Sequence, residues 1–167
     1  RHFDDQHFPL DTNDVVTAWI PAQPTPVEMG PLSFAYPLEV HKLVNAVKFE
    51  KEGAGYDRGV SEVFAKNDVT INETPFELGE VSFHHNLNFH TASQNRTNRS
   101  RVVLANTYYK DGSRVINSPT MISGDWQKFM PNVKPGDLAA SPLNPICWPV
   151  NDAVSYTHLT LPTNSWV

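Results

Sequence analysis

The sequence predicts a mainly β fold of the sandwich or jelly-roll type, with helical segments inserted between two groups of strands. Two observations support this prediction. The apolar runs are short and rich in β-branched and aromatic residues, and Pro, Gly, Asn or Asp bound them. The 14 prolines are spread in short bursts along 167 residues, as turns between strands would be. That length fits one domain.

Each predicted element follows from a local pattern. Residues 86–90 alternate polar and apolar side chains, as a half-buried strand does. Asp111-Gly112 predicts a hairpin turn inside 108–115. Two segments are predicted to be helical. Residues 40–52 lack Pro and Gly and place Leu43, Ala46 and Val47 at helical spacing, and residues 61–66 are predicted to form one or two short turns. The remaining apolar runs predict strands at 15–20, 32–35, 81–83 and 102–105.

Composition excludes several classes of protein. A net charge of -5 argues against a protein that binds nucleic acid by neutralising phosphates. No apolar run approaches the roughly 20 residues that a membrane helix needs. Cys147 is the one cysteine, which excludes an internal disulfide framework, and we expect it to be packed rather than catalytic.

His2 and Asp4 form the first candidate metal-binding pair. Side chains at i and i+2 of an extended strand point to the same face, so an imidazole and a carboxylate can lie side by side. Two histidines and one carboxylate form the facial triad of non-haem iron sites, which leaves positions open for substrates. A second histidine must come from another strand, and the candidates are His7, His41, His84, His85 and His90.

His90 is distinguished by the arginines that follow it. A guanidinium can hold a carboxylate with two parallel hydrogen bonds, which a 2-oxo acid chelated to a metal needs at its far end. Arg101 follows His90 after the turn-forming residues 95–100, so it can return on a neighbouring strand. Arg99 is the alternative clamp.

The order of several motifs resembles that of the phytanoyl-CoA dioxygenase family. The resemblance runs through most of residues 1–150. Its segments are His2-x-Asp4, HFPL at 7–10, TAWI at 17–20, MGPLSFA at 29–35, FHHNLNFH at 83–90, QNRT at 94–97, Arg101 and PGDLAASP at 135–142.

The resemblance implies a non-haem iron(II), 2-oxoglutarate-dependent oxygenase with a double-stranded β-helix core, that is, a cupin-like jelly roll with inserted helices. His2, Asp4 and His90 would hold iron, Arg101 would bind the tail carboxylate of 2-oxoglutarate, and Trp19 would line the co-substrate pocket. O2 is the second co-substrate, and ascorbate would be a supporting reductant. Ala92 departs from the family, because many members have a Ser there that helps to hold 2-oxoglutarate; Phe3 replaces a common Gln.

The activity that the resemblance implies is hydroxylation of a small organic substrate with release of succinate and CO2. The presence of Asp4 favours hydroxylation, since halogenating relatives lack this carboxylate. An alternative, motivated by Ala92, is a catalytically inactive cupin-like protein that binds metal or has a structural role. A zinc hydrolase would use the same ligands but gives no function to Arg101.

The other histidines receive weaker predictions. His84 and His85 are adjacent, so on a strand they face opposite ways. A structural role is favoured for both, with one of them facing the cavity as the alternative. His7 is predicted either to contact Asp4 or to lie at the surface, and His41 is predicted to be structural.

The domain prediction follows the resemblance. Residues 1–152 are predicted to form a partial dioxygenase domain whose first strands are missing, because family members carry strands before the His-x-Asp segment. Residues 153–167 resemble translated adapter DNA or a disordered tail. Expressed alone, such a chain is expected to be poorly soluble. A cytoplasmic location, a small-molecule substrate and no nucleic-acid or membrane partner complete the expectations.

Overall fold

The computed structural model describes residues 2–48, 55–119, 124 and 126–148. The predicted tail at 153–167 and the last part of the helix predicted at 40–52 lie outside these residues. The chain is mainly β, as the sequence predicts. Its elements, in order, are β1 (Val15–Pro21), β2 (Leu32–Tyr36), α1 (Val40–Val44), α2 (Gly55–Lys66), β3 (Thr70–Glu73), β4 (Ser82–His85), β5 (His90–Ala92) and β6 (Val103–Tyr109), with short 3-10 helices at Asp4–Gln6, Val27–Met29 and Trp126–Lys128.

The described strands form two antiparallel three-stranded sheets. The first has the order β4-β1-β6, and its register sets Thr17 opposite both His84 and Thr107. The second has the order β3-β2-β5, with Phe34 opposite His90. His2 extends this second sheet through an isolated antiparallel bridge to His90.

Helix α2 is longer than the sequence predicts. It spans 12 residues, whereas only 61–66 is predicted, because Gly55 and Gly59 lower the local helix propensity. Tertiary packing overrides that propensity: Tyr56, Val60 and Phe64 recur every fourth residue and are all buried. Helix α1, by contrast, ends at Val44.

Two other local predictions are corrected. Residues 86–88 form a turn rather than a strand, with the Asn88 amide donating to the His85 carbonyl, and β5 begins only at His90. The turn at 110–113 is present, but Val115 does not pair with β6. It bridges to Leu10 instead, because Val115 and Leu10 share a second apolar cluster with Trp126.

The largest apolar cluster lies directly behind the candidate metal ligands. Phe3 stands between His2 and Asp4, and Phe89 precedes His90; both phenylalanines are almost fully buried. Their rings lie 6.4 Å apart, and the Phe89 ring also meets Phe64 of α2 at 5.5 Å. Along the sequence, each candidate ligand is therefore next to a phenylalanine that is buried in the apolar cluster. Within the described ranges, no helix is both long and apolar enough to cross a membrane.

The outer face of the β4-β1-β6 sheet is apolar and exposed. Phe83 and Leu104 lie opposite Ala18 and Ile20 of β1 on this face, and they are 66% and 55% exposed. Exposed apolar surface on a sheet promotes self-association.

We expect the double variant Phe83→Thr, Leu104→Thr to associate less than the parent, as measured by light scattering. Its free energy of unfolding should change by less than about 0.5 kcal/mol per site, as exposed substitutions do. The matched control is Phe89→Thr, which removes a buried ring and should cost about 3–5 kcal/mol. Equal scattering by parent and double variant would contradict the prediction.

Candidate metal centre

The backbone of the first segment differs from the extended strand predicted for His2-Phe3-Asp4. His2 is bridged to His90, but Asp4 opens a 3-10 helix. The amides of His7 and Phe8 both donate to the Asp4 carbonyl, at 2.8 and 3.1 Å. These bonds fix the Asp4 backbone, and its side chain still lies beside that of His2.

The structure brings His2, Asp4 and His90 together. One ligand atom from each lies within 4.8 Å of the other two. Oδ1 of Asp4 is 3.6 Å from Nε2 of His2 and 3.6 Å from Nε2 of His90. Asp4 and His90 are buried, whereas the His2 side chain is 37% exposed. The cluster is therefore open to solvent on the His2 side.

His90 is oriented by its own backbone neighbour. Its Nδ1 lies 2.9 Å from the Asn88 carbonyl oxygen, which can only accept a hydrogen bond, so Nδ1 is assigned the proton. Burial, with a contribution from the charge of His2, lowers the pKa of His90 to about 4. The neutral ring then directs the Nε2 lone pair towards Asp4, as a metal-ligating histidine does.

Asp4 is held as a carboxylate. Burial alone would raise its pKa. Hydrogen bonding to His2 and His84, the charge that His90 carries once it is protonated in acid, and the hydroxyl of Thr17 together hold that pKa well below its usual range. Oδ1 of Asp4 and Nε2 of His90 are consequently two acceptors that face each other. A cation between them would satisfy both, so the donor set fits a divalent metal.

His84 also contacts the candidate ligand Asp4, which the sequence did not predict. It is buried, and its Nε2 lies 3.5 Å from Oδ2 of Asp4. His85 is exposed on the other face, which confirms the predicted opposition of the pair. The structural role favoured for His84 is incomplete, because this ring contacts the candidate ligand. The contact depends on the strand register that sets His84 opposite Thr17, and this register cannot be read from the sequence alone.

The remaining histidine candidates do not join the cluster of three. The ring of His7 packs edge-on against that of His2, with centroids 4.8 Å apart. Nδ1 of His41 lies 3.3 Å from the Leu38 carbonyl, and its ring is 6.0 Å from that of Phe3. Away from this site, Cys147 is exposed, so the prediction that it is packed is wrong.

The Arg101 side chain reaches Ser93, the residue that follows β5. Its Nη1 lies 3.1 Å from the Met29 carbonyl oxygen and 3.2 Å from that of Ser93, and it also contacts that of Gly30, so its two N–H groups are shared among three acceptors. Gly30 is required here, because its φ is +69° and a Cβ would lie 2.1 Å from the Ser93 oxygen. Arg99, the alternative clamp, is exposed.

Trp19 lies on the same face of β1 as Thr17, two residues away. It is buried against Phe76, with ring centroids 4.9 Å apart. Phe34 packs against this apolar cluster, and its ring is 5.4 Å from that of His84. Trp19 therefore belongs to an apolar wall that reaches the histidines through Phe34.

Solved structures of non-heme, alpha-ketoglutarate-dependent enzymes have a similar fold. No protein-family model matches the chain, and no curated protein does. The carbocyclase SnoK from nogalamycin biosynthesis is 24% identical with a TM-score of 0.62, and the match covers 85% of this chain and 52% of SnoK. The epimerase SnoN from the same biosynthesis is 18% identical with a TM-score of 0.60, over 85% of this chain and 53% of SnoN.

A second SnoN structure, in complex with Fe3+, alpha ketoglutarate and nogalamycin RO, matches at 20% identity and a TM-score of 0.59. It covers 85% of this chain and 54% of that protein. The chain thus spans about half the length of these enzymes. At these identities the likeness shows a shared fold.

Acid should destabilise the metal-free protein over the pH range that lies between the ordinary pKa of His90 and its pKa in the folded protein. Its pKa is about 4 when folded and 6.5 ordinarily, so the unfolded chain binds the proton first as pH falls. Stability should therefore decrease between pH 6.5 and 4, by up to about 3 kcal/mol. The depressed pKa of Asp4 adds a further loss below its ordinary value of 3.8.

Urea unfolding with a chelator present measures this effect. His90→Gln, which cannot titrate, should flatten the dependence between pH 6.5 and 4, whereas His85→Gln on the exposed face should keep it. If the free energy of unfolding of His90→Gln depends on pH as that of the parent does, the prediction is wrong.

Proposed function

We propose that this protein is a non-haem iron(II), 2-oxoglutarate-dependent oxygenase that hydroxylates a small organic substrate and releases succinate and CO2. The observation that carries the proposal is the convergence of His2, Asp4 and His90, whose ligand atoms lie within 4.8 Å of one another. This is the composition of the two-histidine, one-carboxylate triad. The fold shared with SnoK and SnoN supports the same class.

The chemistry of the donor set favours a ferrous ion. When bound, iron would supply the redox chemistry that couples decarboxylation of 2-oxoglutarate to oxidation of the substrate. His90 offers a neutral imidazole and Asp4 a carboxylate, and neither must lose a proton near neutral pH. The partly exposed His2 leaves the ligand cluster accessible from solvent.

Arg101 is proposed to bind the distal carboxylate of 2-oxoglutarate. A guanidinium has five N–H donors, and the three carbonyl contacts described above all involve Nη1. Because these contacts with the described residues use Nη1, the Nε and Nη2 nitrogens remain to donate to a carboxylate. Such a fork fixes both the position and the orientation of the co-substrate.

Trp19 is proposed to line the co-substrate pocket. Together with Phe34 and Phe76 it forms an apolar wall beside the histidines, which would exclude water from the reacting groups. The core that we propose is the jelly roll of this enzyme class. We propose iron and 2-oxoglutarate as its cofactors, with O2 consumed and ascorbate as an aid in the assay.

Enzymes that depend on iron and 2-oxoglutarate can perform different reactions on their substrates, so hydroxylation needs a test of its own. SnoK is named as a carbocyclase and SnoN as an epimerase. Succinate release with a panel of small molecules tests the class, and mass spectrometry of the product, looking for one added oxygen, tests hydroxylation. A catalytically inactive metal-binding protein would bind iron and form no succinate with any member of the panel.

We expect His90→Ala to lower succinate formation by about a hundredfold or more, because loss of a ligand removes several kcal/mol of metal-dependent stabilisation. The measurement is 2-oxoglutarate turnover with Fe2+ and ascorbate under air. His85→Ala, which changes an exposed histidine outside the ligand cluster, is the matched control and should turn over like the parent. Full activity of His90→Ala would refute the assignment.

We expect Arg101→Lys to raise the KM for 2-oxoglutarate by about 10–100-fold, since lysine keeps the charge but loses the planar fork. The affinity for Mn2+ should stay close to that of the parent, because Arg101 is not a ligand. Arg99→Lys is the control and should change neither quantity. An unchanged KM for Arg101→Lys would assign the clamp elsewhere.

A further inference from the structure

The two carboxylate oxygens of Asp4 face different partners. Oδ1 faces Nε2 of His2 and of His90, at 3.6 Å each. Oδ2 accepts a hydrogen bond from the Thr17 hydroxyl at 2.8 Å and lies 3.5 Å from Nε2 of His84. One oxygen therefore points to the candidate ligands and the other to the β4-β1-β6 sheet.

The partners of Oδ2 stand in a single row across that sheet. The register sets His84 of β4 and Thr107 of β6 on either side of Thr17 of β1. Side chains at one level of an antiparallel sheet share a face, so all three lie on the side that carries Asp4. Thr17 and His84 are buried, so water does not compete for their donors.

The protons in this row can be assigned by counting donors. A carboxylate only accepts, so the single proton of the Thr17 hydroxyl goes to Asp4. The 3.0 Å contact between the Thr17 and Thr107 hydroxyls must then be donated by Thr107. Nε2 of His84 must likewise carry a proton to face Oδ2, and no partner of its buried Nδ1 is found among the described residues. The donors are therefore directed at one oxygen of Asp4.

We propose that Thr17, backed by Thr107 and joined by His84, is a positioning residue for the metal ligand Asp4, an inference that rests on the proposed function. With Oδ2 held by the sheet, Oδ1 is the Asp4 oxygen that would be left to hold a metal together with His2 and His90. A carboxylate limited to one oxygen leaves one more coordination position for co-substrate and substrate. Outer-shell hydrogen bonds of this kind orient a ligand and strengthen metal binding.

Mn2+ binding without co-substrate tests the inference, with free Mn2+ followed by electron paramagnetic resonance. Thr17→Val keeps the shape of the side chain and removes its donor, so we expect the dissociation constant to rise about 10–100-fold. Thr17→Ser restores the hydroxyl and should bind close to the parent value. Thr107→Val, which removes only the supporting donor, should produce a smaller rise.

The absorption spectrum of bound Co2+ supplies a second readout. We expect it to change in Thr17→Val, because a released Asp4 can coordinate through both oxygens. Thr25→Val is the matched control: Thr25 is fully buried and donates to the Gln23 carbonyl at 3.1 Å, away from the histidines. It should leave both the affinity and the spectrum unchanged. His84→Gln keeps a donor and His84→Met removes it, with His85→Met as the control on the exposed face.

The outcomes separate the two proposals. A parent protein that does not bind Mn2+ overturns the proposed function, and the positioning role with it. A parent that binds Mn2+, with Thr17→Val and Thr107→Val equal to it in affinity and Co2+ spectrum, overturns the positioning role alone. If Thr17→Val does not fold, as judged by circular dichroism, Thr107→Val and the two His84 variants decide the question by the same measurements.

Discussion

A buried carboxylate surrounded by donors is the interaction on which the site depends. Asp4 lies between the two sheets, with Thr17 and His84 supplied by one and His90 by the other. An ionised carboxylate removed from water is strongly destabilising unless hydrogen bonds and nearby charge compensate it. The packing of one sheet against the other thus includes a polar centre as well as apolar contacts, and its charge balance requires elements from both sheets.

The core and the site are built by the same alternation of side chains. Phe3 turns into the apolar cluster while His2 and Asp4 turn away from it, and Phe89 is anchored beside His90 in the same way. Helix α2 closes the far side of this cluster through Phe64. Aromatic packing a few ångströms behind the candidate ligands therefore sets their positions. A change in this apolar cluster would shift the side chains of His2, Asp4 and His90.

Short apolar runs in the sequence predicted β1, β2, β4 and β6, but they did not predict β3, and the alternation at 86–90 misplaced the start of β5. The meeting of His2, Asp4 and His90 was predicted from the order of the motifs. The row formed by His84, Thr17 and Thr107 could not be predicted in this way. It depends on which residues of three strands, far apart in sequence, come opposite one another, and a shift of one position would turn His84 outwards. The length of α2 was missed for a related reason, since its stability comes from tertiary packing rather than from its own composition.

The bridge between His2 and His90 joins the start of the chain to its middle. The two residues exchange both backbone hydrogen bonds, at 3.1 and 2.9 Å. An ion held by both side chains would bind the folded chain, in which the two imidazoles meet, and would stabilise it over the unfolded chain by mass action. Metal occupancy and folding would then be linked equilibria. For the oxygenase proposed above, iron supply would then govern resistance to proteolysis as well as turnover.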